Sequence, residues 1–385
     1  MVEPHQGLAW LPQHQHHVVF TLAHVDHLIS RVSDMLFEYT KAGPLDLRNV
    51  ADGELAHVTI AGVAPLPQAV SRFVADSLTQ LRAALEHTLF AEVEHRLGRE
   101  LTASEERSIE MPTASTSDGF GNWTRHRSRR DLSVLHEGAE LCERIRSLQP
   151  FQAASSDDHP LKVLAAHTNL AKHRAPAVAA TLLGTVRPDR PSADLVGSTE
   201  TERPLRPGDI LMTGPLYRQE PISIFPKVSV LRPHTRTWHV LLNELGELEQ
   251  WVRTVAVPVL VAGRQDLETV PPQIDITVGH ADFSAALAAA GTMSAKTRAE
   301  QRLQAAMGRD SMVEIFSLHS QFKGADILIR WLESLSDAQV IERLGTIIST
   351  NLSGNLIALD AVIRSLILEA ENHSAATSRD TPGDT

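Results

Sequence analysis

Residues 68–97 constrain this chain more than any other stretch. Val70, Phe73, Val74, Leu78, Leu81, Leu85, Leu89 and Val93 recur at three- and four-residue spacing, and Gly98 follows. Apolar side chains at that spacing share one face of an α-helix, and a trailing glycine supplies the left-handed residue that ends one. The pattern predicts a helix from Gln68 to Leu97, entered through Pro65 and Pro67. Its apolar stripe has to be buried against other elements. The same period runs through 16–39, where Val19, Leu22, Val25, Leu28, Ile29, Val32, Met35 and Leu36 make a second apolar face. Further helices are predicted at about 132–148, ending at Pro150, and at about 159–174.

Between and after these helices the pattern changes. Leu45–Gly62 reads as a hairpin turning at Ala51-Asp52-Gly53, and 101–122 is polar, rich in Ser and Thr, and reads as loop. Short apolar runs at Val178–Leu183, Ile210–Thr213 and Val228–Leu231, set between Pro and Gly, predict a small antiparallel sheet. Trp238–Val252 is helical again, continued by Val255–Val261 around Pro258. Pro271-Pro272 marks the best domain boundary. Beyond it, Ala299–Met307, Val313–Leu332 and Asn355–Ala370 are amphipathic. The expected class is α+β, mainly α. The expected division is a helical domain with a β insert over 1–263, a linker over 264–290, a helical region over 291–372, and a disordered tail over 373–385.

Composition narrows the function classes. The chain has 385 residues with 36 basic against 47 acidic side chains, a net charge of −11, which disfavours non-specific nucleic-acid binding. Basic side chains nevertheless gather locally, at Arg125–Arg130 and Lys172–Arg174. The single cysteine, Cys142, excludes a disulfide framework and a Cys-rich zinc site. The opening residues lack a secretory pattern, and the longest apolar runs fall short of the ~20 residues that span a bilayer. A cytoplasmic protein with no membrane partner is expected. No phosphate-cradling glycine loop and no Gly-x-Ser-x-Gly nucleophile turn is present.

The candidate chemistry lies inside the long helix, at Arg82-Ala83-Ala84-Leu85-Glu86-His87. Positions five apart lie ~140° apart around a helix, so Arg82 and His87 flank the leucine seam rather than aim at one spot. A second helix, or a second copy of the chain, would have to complete a site. Read alone, the pair is either a surface ion pair beside a satisfied histidine or a guanidinium and imidazole for phosphodiester chemistry. Two other groups stay open in the same way. Lys172, His173 and Arg174 either complement the negative end of a helix or clamp phosphate near Arg82 and His87, with His173 as a second proton-transfer group. Arg125, Arg127, Arg129 and Arg130 either solubilise a loop or track a nucleic-acid backbone, with binding that falls as salt rises. Among the 19 histidines, His14, His16, His17, His24 and His27 crowd the first helix, and Glu92 and His95 sit three apart on the second. Helical-bundle metal sites need matching ligands on other helices. None is evident, so neither metal nor cofactor is expected.

The stretch Ala75–His87 resembles the signature helix of the HEPN superfamily, an Arg followed after four to six residues by His. It is also similar to a set of uncharacterised bacterial proteins with an L-R-x-A-L-D-H helix, then L-Q-P-aromatic, then a K-H-R segment. This chain carries Leu148-Gln149-Pro150-Phe151 and Lys172-His173-Arg174 in that order, and the resemblance covers about 16–262. Ala75, Thr79, Gln80, Glu86 and Ala171 depart from the pattern, while Arg82 and His87 keep it. The resemblance implies a HEPN-like four-helix core with an inserted hairpin. It also implies a metal-independent endoribonuclease acting as a homodimer on RNA, of the kind used as toxins or phage-defence effectors. Arg82 would hold phosphate and His87 would move the proton. Glu86 would orient His87's surroundings or pair with Arg82. A rival reading is a non-catalytic HEPN-like module that binds a nucleotide, RNA or a protein partner.

Overall fold

The computed structural model describes residues 8–188, 196–197, 202–217, 222–318 and 324–377. It divides the chain into two units, Met1–Lys296 and Thr297–Thr385.

The first unit is built on two long helices, α1 (His16–Lys41) and α2 (Gln68–Leu97). Their periodic faces form one core, with Val18, Val19, Leu22, Val25, Ile29 and Val32 meeting Leu78, Leu81, Leu85 and Leu89. Shorter helices surround them: α3 (Ala103–Glu106), α4 (Ser117–Thr124), α5 (Glu140–Ser147) and α6 (Pro160–His173). Then come α7 (Leu241–Trp251), a π-helical turn at Val252–Ala256, α8 (Val257–Ala262) and α9 (Phe283–Ala288). The π turn sits just before Pro258, whose missing N–H and bulky ring disturb regular α-helical bonding. Arg144 of α5 donates to the carbonyls of Leu260 (3.0 Å) and Val261 (2.6 Å), capping α8 where Gly263 turns away at φ +75°.

Several expectations need correction. The helix expected over 132–148 is split: a 3-10 turn at Ser133–Leu135 precedes α5, and between them Gly138 takes φ +84°, which no α-helix accommodates. Residues 238–240 form a strand rather than a helical turn, and the expected loop 101–122 holds α3 and most of α4. The single small sheet is two. β1 (Leu45–Asp52), β2 (Leu55–Val63), β4 (Val196–Gly197) and β5 (Ile210–Pro215) form a sheet in the order β1-β2-β5-β4. β3 (Ala179–Pro188), β6 (Ile222–Leu231) and β7 (Trp238–Val240) form the other, in the order β3-β6-β7. The hairpin therefore takes a late strand as its neighbour, and His57 Nδ1 lies 2.8 Å from Thr213 Oγ1 across that pairing. All the pairings among the described residues are antiparallel.

The segment 264–290, expected as a linker, belongs to the first core. Val270, Ile274, Ala286 and Leu287 are buried in it. Buried Arg253 donates to the carbonyls of Val270 (3.2 Å) and Pro271 (2.8 Å), and Phe283 stacks on His16 with centroids 3.6 Å apart. Prolines stop regular structure, yet their carbonyls remain acceptors for a buried guanidinium.

The second unit begins within the first turn of α10 (Ala295–Ser317) and contains α11 (Ala325–Ser334), α12 (Asp337–Leu352) and α13 (Leu356–Thr377). Met312, Phe316, Leu328, Trp331, Val340 and Ile347 form its own core. The single helix expected over 313–332 is interrupted: α10 ends at Ser317, 319–323 lie outside the described residues, and Gly324 caps α11. Residues 337–352 were not expected as a helix, although Ser336 and Gln339 make a reciprocal capping box there. Arg309 fixes the α11–α12 turn through the carbonyl of Leu335 (2.8 Å) and Asp337 (2.9 Å). Of the tail expected to be disordered, His373–Thr377 continue α13 and 378–385 lie outside the described residues. No described helix is long and apolar enough to cross a membrane.

Candidate active site

α2 places its leucine seam inward and its motif residues on either side of it. On one flank Arg82 Nε donates to Glu86 Oε1 at 2.6 Å, an i,i+4 pair. The same guanidinium reaches the Met111 carbonyl and, at 3.3 Å, Thr113 Oγ1. Glu86 Oε2 accepts from the Met111 N–H at 2.7 Å. The two side chains thus hold both polar groups of one buried residue's backbone. The Arg82 side chain is only 13% exposed. A group expected to hold phosphate instead spends its donors on its own chain.

The Leu148-Gln149-Pro150-Phe151 segment meets the same loop. Gln149 is fully buried; its Oε1 accepts from the Ala114 N–H at 3.0 Å, and its Nε2 donates to the Ile145 carbonyl at 3.0 Å. Arg82 and Glu86 from one motif segment and Gln149 from another therefore converge on Met111–Ala114. Nothing in their sequence spacing announces that loop.

The other flank of α2 is open. His87 is exposed, and the nearest ring to it is that of His17 from α1, with centroids 6.2 Å apart and planes at 57°. His17 Nδ1–H donates to the His14 carbonyl at 3.1 Å, which leaves Nε2 as its free nitrogen. Burial pushes the His17 imidazole below its usual pKa. The bond to His14 opposes that shift, and His87 and His14 add to it. One turn along the seam, His14 stacks on His95 with centroids 4.0 Å apart and donates from Nε2 to Glu92 Oε1 at 3.0 Å. Buried Glu92 also accepts from Gln15 (3.0 Å) and from Arg96 (3.0 Å). His14 and His17 stand out in the sequence as members of a crowd, but their pairing with His95 and His87 comes from the packing of α1 on α2. Among the described residues no group of three or more His, Cys, Asp or Glu side chains could hold a metal ion. Asp26, between His24 and His27, is buried and accepts from the Ala295 N–H at 2.6 Å.

The remaining basic residues separate into two kinds. Lys172, His173 and Arg174 are exposed at the end of α6, as are Arg125, Arg127 and Arg130 in their loop. Arg129 is buried. It donates to the Trp123 carbonyl (3.2 Å) and Glu110 (3.0 Å), and its guanidinium lies 4.5 Å over the Trp123 ring. Burial depresses its pKa, against the pull of Glu110. It is a packing residue rather than a backbone tracker. Beside it opens a cleft of about 570 Å³ lined by Arg107, Asn122 and His126 among others. Cys142 is buried and its thiol is pushed up to about 11, mainly by desolvation, so it is no nucleophile at neutral pH.

A polar cluster that sequence reading missed joins α6, α7 and the end of β6. Buried Arg232 grips both oxygens of Glu244 at 2.8 Å and donates to Asp158 at 2.9 Å. Burial opposes charge on Glu244. His167, 3.7 Å away, and Arg232 nevertheless bring its carboxyl down to about 2. Arg232 and Glu244 lie twelve residues apart on different elements, a separation that no local period marks.

No family model, curated protein or solved structure matches this chain.

Proposed function

We propose that this chain is a metal-independent endoribonuclease of HEPN type, with α1, α2, α6 and α7 as its four-helix core and His87 as a proton-transfer group. What carries the reading is the position of His87: an exposed imidazole, five residues along α2 from the Arg82–Glu86 latch, and so on a rigid support. An imidazole there can exchange a proton with the 2′-hydroxyl or the leaving oxygen of a phosphodiester. Arg82 and Glu86 act by fixing the helix. The exposed Arg125, Arg127, Arg130, Lys172, His173 and Arg174 draw the RNA backbone. The protein works as a homodimer in the cytoplasm, as a toxin or phage-defence effector. Purified protein incubated with total RNA in EDTA is expected to degrade it, and His87→Ala to stop this. Degradation that persists unchanged in that variant would sink the proposal.

A second reading is favoured by Arg82 itself, whose donors are spent on Glu86, Met111 and Thr113. In that reading the unit is a non-catalytic HEPN-like module that binds a nucleotide, RNA or a protein partner. RNA then stays intact with the wild-type protein, and His87→Ala folds normally.

A further inference from the structure

If His87 moves one proton, cleaving an RNA phosphodiester still needs a second group, since one oxygen loses a proton while another gains one. Arg82 cannot take that part, being a permanently charged group locked into the 111–113 loop. On the open flank the neighbouring imidazole is His17. The two rings stand 6.2 Å apart, one from each helix, and both are exposed. Each ring nitrogen has to come within ~2.6–3.2 Å of the oxygen it serves. A phosphate resting across the two exposed rings, rather than between them, can meet one nitrogen of each.

Resting on the ribonuclease reading, we infer that His17 is the second catalytic residue, the general base of a His17–His87 pair that spans the scissile phosphate of single-stranded RNA across the α1–α2 seam. The assignment of roles follows from hydrogen bonding. His17 Nδ1 is committed as a donor to the His14 carbonyl, so Nε2 presents a lone pair. His87 has no such fixed bond and is free to carry the proton as the acid.

His17 Nε2 takes the proton of the 2′-hydroxyl, and the 2′-oxygen forms a bond to phosphorus. The bond from phosphorus to the 5′-oxygen breaks, and that oxygen takes the proton from the His87 imidazolium. The products are a 2′,3′-cyclic phosphate and a 5′-hydroxyl, with His17 protonated and His87 neutral. Exchange with water restores both rings. Burial is the main influence that keeps the His17 imidazole neutral; the bond to the His14 carbonyl opposes it, and the charges of His87 from α2 and His14 from its own segment add to it.

The test uses the full chain and a single-stranded oligoribonucleotide in EDTA, with kcat/KM measured across pH. The wild-type profile is expected to be bell-shaped. His17→Ala should lower the rate ~10²–10⁴-fold and abolish the acid limb, while His87→Ala should abolish the basic limb. A 2′-deoxy substitution at the scissile nucleotide should stop cleavage, and cleavage of that strand would overturn the 2′-oxygen route. A His17→Ala protein that keeps its rate and acid limb while His87→Ala is inactive overturns the role of His17 and leaves the ribonuclease reading standing. RNA left intact by the wild-type protein overturns both. A readout independent of turnover is the titration of His17 followed by NMR. Removing the neighbouring positive charge in His87→Ala should raise the His17 pKa, and an unmoved titration would break the pair.

Discussion

The two flanks of α2 start from the same backbone and end with opposite properties. On the Arg82–Glu86 flank, polar groups from α2 are used up by a neighbouring loop, with hydrogen bonds to both ends of the Met111 backbone. On the His17–His87 flank, two imidazoles lie with centroids 6.2 Å apart, tilted by 57°, and remain exposed. A polar side chain beside a buried seam either satisfies another segment's backbone or stays free for chemistry, and α2 does one on each side. The arginine that sequence spacing marks for catalysis has been absorbed into structure, while the histidine has not.

Substitutions should separate the flanks by what they damage. The largest loss of stability is expected from the seam between them: Leu85→Ala removes a fully buried side chain and should cost about 2–5 kcal/mol, read by urea denaturation. A loss well under 1 kcal/mol would mean that the α1–α2 core is not the one described. Next comes the latched flank. Arg82→Ala strands the Met111 carbonyl and the Glu86 carboxylate, and a cost of about 1–3 kcal/mol is expected. Gln149→Ala acts on the same loop, so the double variant should depart from additivity by about 0.5–3 kcal/mol. Strict additivity would show that Arg82 and Gln149 hold the loop independently. On the open flank His87→Ala should shift stability by no more than about 0.5 kcal/mol, since its ring is exposed, whatever it does to activity.

A subtler expectation concerns acid, and it tests whether locked pairs elsewhere in the unit behave like the latch. Glu244 is held down to about 2 in the folded protein, below the ordinary carboxylate value it regains on unfolding. Its contribution is therefore fully present above that ordinary value, about 4.3, and is lost as pH falls toward 2. Glu244→Gln should flatten the fall in stability between about pH 4.5 and 2. An unchanged slope would place the acid-labile group outside the Arg232–Glu244 cluster.

Much of the helical frame was legible from local pattern. The apolar period predicts α2 over Gln68–Leu97, the limits it has in the structure, and it places α1 and α6 within about two residues at each end. The hairpin at 45–63 was also visible, because Gly53 supplies its turn at φ +61°. The helix over 337–352 was missed although Val340, Ile341, Leu344, Ile347 and Ile348 keep the helical period behind its capping box. Of the candidate site, the residue types were legible and their partners were not. Arg82 finds Met111 and Thr113, Gln149 finds Ala114, and His17 finds His87, each across a separation that no local period encodes.

The sequence by itself determined which faces of α1, α2 and α6 are buried, because burial of apolar surface is non-directional and needs only the right spacing along a helix. Tertiary structure alone decided that Pro271 would serve as an acceptor for Arg253, that the strand at 210–215 would extend the early hairpin, and that Arg82 would be locked while His87 stayed open. Hydrogen bonds and ion pairs are directional and short-ranged, so their partners are chosen only once packing has brought distant segments within about 3 Å.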